Sequence, residues 1–233
     1  MAEVGMLGWR MPEDRAHERR YAMATAMPTS ATPVVVGIPW YEAFDRPVRR
    51  GASWWIGTPD VAWGAVRGGH AVCLRPPSIG DVASAYLHYN QGSEGACVGF
   101  ATARAATLCN RRLYDGFAQY RAAQRNDEWA GEGYIGSSVN GGLQGLRLEG
   151  AWIVRAGKTA VTPSLADGIS AFVWARTPTE VLQALRSSEQ FVRILNSWGG
   201  NYPREVRMPL SGVTRLMSEG GEFGAPVDRP GRG

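Results

Sequence analysis

Gln91-Gly-Ser-Glu-Gly-Ala-Cys97-Val-Gly-Phe-Ala-Thr-Ala103 joins a glycine-rich turn to an alanine-rich run with helical spacing. Small residues in such a turn tolerate positive φ and close backbone approach. Cys97 falls where the helix begins, beside unsatisfied backbone N–H groups and the positive end of the helix dipole. That position favours thiolate over thiol. Gln91, six residues upstream, carries an amide able to donate to a developing oxyanion. A thiol at a helix start beside a neutral donor is the front half of an acyl-transfer site.

Downstream, the helix from Cys97 is expected to reach about residue 112, with Phe100, Ala101, Ala105 and Leu108 at helical spacing. Residues 114–125 continue helically, 131–136 read as loop, and Ser137 or Ser138 caps a further helix stopped by Gly150. The stretch 153–171 is irregular, with room for one short strand. Thr177-Pro178-Thr179-Glu180 combines a Thr cap with Pro at the first helical position, predicting a short amphipathic helix. Phe191 to Leu195 reads as a strand ending in the polar turn Asn196-Ser-Trp198-Gly-Gly, and 206–210 as one more strand.

Upstream, Pro33-Val-Val-Val-Gly-Ile-Pro-Trp40 is a β-branched run bounded by prolines, hence a buried strand. Residues 46–60, with paired Trp54 and Trp55, read as a hairpin excursion. Gly68-Gly-His70-Ala-Val-Cys-Leu74 is again a strand, ended by Pro76 and Pro77. His70 therefore opens one apolar strand and Asn196 ends another. If those strands are neighbours, His70 and Asn196 pair while the imidazole faces Cys97, giving a nucleophile, a base and an orienting group. His88 is a rival base by sequence proximity, and His17 a more distant one. Cys109 reads as buried filler.

These three stretches together resemble papain-like (C1-type) cysteine peptidases over roughly residues 33–210. Gln91 to Ala101 looks like the family's active-site cysteine motif, Gly69-His70-Ala-Val like its histidine strand, and Asn196-Ser197-Trp198-Gly199 like its asparagine motif. The resemblance implies Cys97 as nucleophile, His70 as base and acid, Asn196 as orienter of His70 and Gln91 as oxyanion donor. It also implies Trp198 as a shield over the Asn–His contact and Phe100 as packing behind the cysteine. The implied ground state is a Cys97 thiolate beside a His70 imidazolium. The implied fold is α+β with two lobes, one helical and one an antiparallel β-barrel-like lobe, facing each other across the site.

The chain departs from the family pattern in three places. Glu94 stands where a cysteine is usual, Val98 where an aromatic is usual, and His70 lies 27 residues before Cys97 rather than after it. The third departure has a physical reading. Residues 33–73 resemble a strand–loop–strand unit that the family places between a helix like 178–187 and a strand like 191–196. The ends of an antiparallel hairpin lie close together, so removing it leaves ends that a short linker rejoins. A segment-permuted papain-like domain is expected, spanning 32–218. Residues 32–75 form its displaced β segment, 91–150 its helical lobe, and 177–210 a helix and the β lobe bearing Asn196. Residues 1–31 read as a partly disordered arm, with a short helix at 13–23 and with covering of the site as the alternative role. Residues 219–233 read as a disordered tail.

Composition narrows the partners. Of 25 basic residues only Lys158 is a lysine, and the 24 arginines are scattered rather than gathered into the stripe that nucleic acid requires. No apolar run is long enough to span a membrane or to serve as a signal peptide. The three cysteines, Cys73, Cys97 and Cys109, form neither a disulfide framework nor a metal-ligand spacing, so no cofactor or metal is expected. A cytoplasmic setting follows, with virion association or non-standard export as alternatives. The expected partner is a peptide or protein substrate, and oligomeric state leaves no trace. The leading function is hydrolysis of peptide bonds through an acyl-enzyme. The alternatives are acyl transfer or deamidation by the same residues, and a non-catalytic binding domain of the same shape.

Overall fold

The computed structural model describes residues 8–12, 24, 26–154 and 161–227. Its frame is a mostly antiparallel eight-stranded sheet carrying strands from both ends of the chain. β1 (Val34–Tyr41), β2 (Val48–Arg50), β3 (Ser53–Trp55) and β4 (Val66–Leu74) come first. β7 (Ala171–Trp174), β8 (Phe191–Leu195), β9 (Val206–Pro209) and β10 (Glu222–Val227) complete the sheet, in the order β2-β3-β9-β8-β4-β1-β10-β7. Among the described strands of this sheet, β3 and β9 are the one parallel pair. β5 (Ala151–Ile153) and β6 (Thr162–Ser164) form a separate two-stranded ribbon.

Six helices are described: α1 (Ala85–His88), α2 (Cys97–Asn110), α3 (Gly116–Arg125), α4 (Val139–Leu148), α5 (Pro178–Leu185) and α6 (Leu210–Ser218). Strand alternation sorts the core into two layers. Val35 of β1 with Ala71 and Cys73 of β4 faces Cys97, Val98, Ala101 and Leu143 of the central helices. Val34, Val36, Ile38 and Trp40, with Val72 and Leu74, face Val181, Leu185, Val213 and Leu216 of α5 and α6. β1 is thus covered on both faces, which explains its unbroken apolar run. The small residues of α2 let α3 approach closely: a Cβ on Gly99 would sit 2.3 Å from the Tyr120 nitrogen.

The caps fall where the sequence puts them. Ser138 accepts from the Gly141 N–H at 2.9 Å at the start of α4, and Thr177 from the Glu180 N–H at 3.2 Å at the start of α5. Arg186, left-handed at φ 49°, ends α5 and turns the chain almost directly into β8. β4 lies beside β8, with Cys73 opposite Leu195 and Leu74 opposite Ile194. The strand that bears His70 and the strand that ends at Asn196 are therefore neighbours.

Two expectations are corrected. The tail expected to be disordered from residue 219 holds β10, a buried strand wedged between β1 and β7 and fed by α6. The arm expected to be mobile has Gly8 to Pro12 packed against the body, with Trp9 buried. The expected helix at 13–23 and residues 228–233 lie outside the described residues. Among the described residues, no helix is long and apolar enough to cross a membrane.

Candidate active site

His70 is buried in β4, and its Nε2 lies 2.7 Å from the Asn196 Oδ1 just past the end of β8. Asn196 is held in turn, because the same Oδ1 accepts the Ser197 backbone N–H at 2.7 Å. Trp198 stacks on the imidazole at 4.9 Å between ring centroids and an angle of 25°. Trp40 meets the same ring edge-on at 4.7 Å. The two indoles keep water from the His–Asn contact, where the low local dielectric strengthens it.

Cys97 opens α2, as the sequence requires. Its sulfur accepts the Ala71 backbone N–H at 3.2 Å, so the residue after His70 touches the nucleophile directly. Backbone N–H groups of Gly8, Val98 and Cys97 itself also point at the sulfur. The other imidazole nitrogen, Nδ1, is buried without a hydrogen-bond partner among the described residues. The sulfur thus meets the backbone next to the imidazole, whose ring packs on Trp40 and Trp198, and no hydrogen bond joins thiol and imidazole among the described residues.

Gln91 is tied into the same cluster. Its backbone N–H donates to the Ser197 carbonyl at 2.9 Å and its Oε1 accepts the Ser197 hydroxyl at 2.5 Å. Its side-chain nitrogen donates to the Glu94 carbonyl at 2.8 Å. Phe100, one turn into α2, packs into the core that also holds Cys97, edge-on to Phe117 at 4.8 Å. Asn196 and Trp198 are thus brought against His70, Gln91 is tied to them through Ser197, and Cys97 and Phe100 lie in the core layer that meets the same strand through Ala71. The rival His88 instead reaches the Tyr114 carbonyl at 3.1 Å, and His17 lies outside the described residues. Cys73 is buried in β4, and Cys109 is half-buried rather than the buried filler expected. Among the described residues, no group of three or more His, Cys, Asp or Glu side chains is arranged to hold a metal ion.

The expected ion pair is corrected. Burial pushes the Cys97 thiol up to about 11, outweighing the backbone donors aimed at it. Burial likewise holds His70 down at about 4, against the raising effect of Asn196. Both groups are neutral at pH 7 in this form.

The sulfur is covered by the N-terminal stretch, which the sequence presents as an arm with covering of the site as its alternative role. Trp9 donates its backbone N–H to Gly69, next to His70, at 3.0 Å. Arg10 donates to the Ser137 carbonyl at 3.0 Å, and the Ser137 N–H donates to the Gly8 carbonyl at 2.9 Å. Gly8, Trp9 and Arg10 thus bridge the strand of His70 and the start of α4, directly over Cys97. Nothing periodic marks these three residues. The signal that was present lay in the receiving wall, where the Gly68-Gly69 pair in a strand points to close backbone approach.

No family model, no curated protein and no solved structure matches the chain.

Proposed function

We propose that the chain is a papain-like cysteine peptidase of segment-permuted order, which hydrolyses peptide bonds through Cys97, His70 and Asn196. The reading includes the finer arrangement of a helical lobe and a β lobe facing each other across the site. One observation carries it: β4 holds His70 against Asn196 with one ring nitrogen while its next residue bonds the sulfur at the start of α2. A side chain on β4 meets a turn after β8, and the backbone beside it meets a helix N-terminus, which supports this reading. This leaves Nδ1 as the imidazole atom available to the thiol.

In the working state the segment over the site is displaced and water and substrate enter. His70 Nδ1 then takes the Cys97 proton, and Asn196 on Nε2 fixes the tautomer that allows it. The sulfur attacks the carbonyl carbon, and the oxyanion forms beside the Cys97 backbone N–H and the Gln91 amide. Such a donor is typically worth about 10²–10³ in rate. The C–N bond breaks as His70 returns the proton to the leaving amine. Water, deprotonated by His70, then cleaves the thioester and frees the acid.

The test is labelling by an epoxide-type thiol probe, located by peptide mass spectrometry, together with turnover of a peptide pool. The reading requires labelling at Cys97, loss of turnover in Cys97→Ala, and a fall of orders of magnitude in His70→Ala. Release of acid rather than incorporation of an added amine assigns hydrolysis over acyl transfer. A displaced-segment variant that neither labels nor turns over any peptide would leave only a binding domain.

A further inference from the structure

The segment over the site is held by its side chains as well as its backbone. Trp9 is 7% exposed, and its indole N–H donates to the buried Glu222 carboxylate at 2.9 Å. The walls of this socket are Gly37 of β1 and Gly69 of β4. A Cβ on Gly37 would fall 2.1 Å from the indole nitrogen, and one on Gly69 would fall 2.1 Å from the Trp9 carbonyl oxygen. Gly37 and Glu222 are direct cross-strand partners, so the space and the acceptor are built by one register.

Arg10 occupies a second site. Its guanidinium lies 4.0 Å from the Trp129 ring centroid and 4.8 Å from that of Tyr134. The loop bearing these rings is fixed by Asp127, which accepts from the Trp129 N–H at 3.1 Å, the Tyr134 hydroxyl at 2.5 Å and the Ser137 hydroxyl at 2.6 Å. An aromatic clamp of this kind selects a cation. At the sulfur itself the fit is to a residue with no side chain: a Cβ on Gly8 would lie 1.8 Å from the Gly95 carbonyl oxygen.

Both walls address the segment through main-chain groups, Gly69 on one side and Ser137 on the other, a mode that accepts any backbone. Discrimination then falls to the two side-chain sites. We propose that the Glu222 socket and the Trp129–Tyr134 clamp are the specificity-determining subsites of this cleft. They read a small residue followed by an aromatic with a donor at its tip and then an arginine, and Gly8-Trp9-Arg10 is the chain's own copy of that ligand. The inference rests on the peptidase reading for its meaning as substrate selection, but binding tests it without turnover.

The experiment uses the full chain carrying Cys97→Ala, Trp9→Ala and Arg10→Ala, with a melting transition to certify the fold. Its probe is the peptide acetyl-Leu-Gly-Trp-Arg-Met-amide, titrated by calorimetry. Binding is expected, weakened about tenfold by Trp-to-Ala and about tenfold by Arg-to-Ala in the peptide. Trp129→Ala in the protein should abolish the second difference and keep the first. Should Trp9→Ala prevent folding, Trp9→Leu keeps apolar bulk in the socket and the peptide competes with that weaker occupant. Equal affinity for all three peptides, or no binding to a folded variant, overturns the proposal. With Cys97 retained, a Trp9→Ala, Arg10→Ala protein that binds selectively yet never cleaves defeats the peptidase reading alone, and one that cleaves without this preference defeats the subsites alone.

Discussion

The Ala71 backbone N–H donates to the Cys97 sulfur at 3.2 Å, joining a strand to a helix start 26 residues further along the chain. Because the donor is main chain, the approach of β4 to α2 is set by the sheet and not by a rotamer. The sheet in turn is set by β1, which pairs with β4 from Val34–Leu74 to Tyr41–Val66. His70 thus inherits its position from a strand pair, and Cys97 from the N-terminus of a buried helix. The proposed chemistry depends on what covers the contact between β4 and the start of α2.

Removing the cover should change the thiol before anything else. With the thiol at about 11 in the intact chain, little thiolate exists near neutrality. In Trp9→Ala, water reaches the sulfur and the helix-start donors act without the desolvation that opposed them. Iodoacetamide labelling of Cys97 at pH 7.5 should rise by about tenfold for each unit the pKa falls. Its pH profile, measured by mass spectrometry, should shift to lower pH in the variant. Identical profiles in the two proteins would mean that the segment is not what suppresses the thiol.

His70 writes a signature into stability. Its folded pKa, about 4, lies below the ordinary value of 6.5, so between those limits the unfolded chain binds a proton that the native chain refuses. Stability is therefore whole above pH 6.5 and falls as pH drops toward 4, by about 3 kcal/mol for this one group. Urea unfolding at pH 7.5 and 4.5 measures the loss. His70→Gln should flatten that part of the slope, and an unchanged slope would show that the imidazole is not dry.

Asn196→Asp probes the contact between Asn196 and the ring. A carboxylate in place of the amide sits 2.7 Å from Nε2 and favours imidazolium. The His70 pKa, read from its ring proton chemical shifts, should rise by more than about one unit. Asn196→Ala removes the Nε2 partner within a buried site and should cost about 1–3 kcal/mol in urea unfolding. Activity should fall in both variants, in Asn196→Ala because the tautomer is no longer fixed and in Asn196→Asp because a raised pKa leaves less neutral imidazole to take the Cys97 proton.

The candidate site was largely legible, because its parts carry local chemistry: a Gly turn before Cys97, a Gly pair before His70, a polar turn at Asn196. Their convergence required only that β4 and β8 be neighbours, and the short link from Arg186 to Phe191 argued for that. Trp9 was illegible because a lone aromatic in an Arg- and Met-rich stretch has no period to declare its partner. Its destination is fixed by Glu222, 213 residues away. The imidazolium–thiolate expectation failed because burial neutralises both groups, with Trp40 and Trp198 enclosing the imidazole and the distant N-terminal segment reaching the sulfur through Gly8.

Gly37→Ala separates the cover from the chemistry. The residue lies on β1, touches neither Cys97 nor His70 among the described contacts, and its added methyl would fall on the Trp9 indole. Expulsion of the indole should raise Cys97 labelling nearly as much as Trp9→Ala does. Combining the two substitutions should add little, because both act through one contact. Full additivity of the two rates would show that Gly37 acts by some other route.

The last prediction concerns the C-terminal strand. Glu222-Phe-Gly-Ala-Pro-Val227 hides its role behind one Pro, one Gly and a charge, which is why composition read it as a tail. In the sheet, Pro226 falls where the β10–β7 pairing continues, while the β1 partners are Gly224, Phe223 and Glu222. The proline thus sits beyond the stretch where β1 pairs with β10, and the missing N–H leaves the β1 ladder intact. Ending the chain at Gly221 would strip β1 of one neighbour, expose Phe223's place in the core and detach β7 altogether. Such a protein should lose cooperative unfolding by circular dichroism, whereas ending it at Val227 should not. A cooperative transition in the Gly221 truncation would mean that β1 needs only β4 to hold His70 in place.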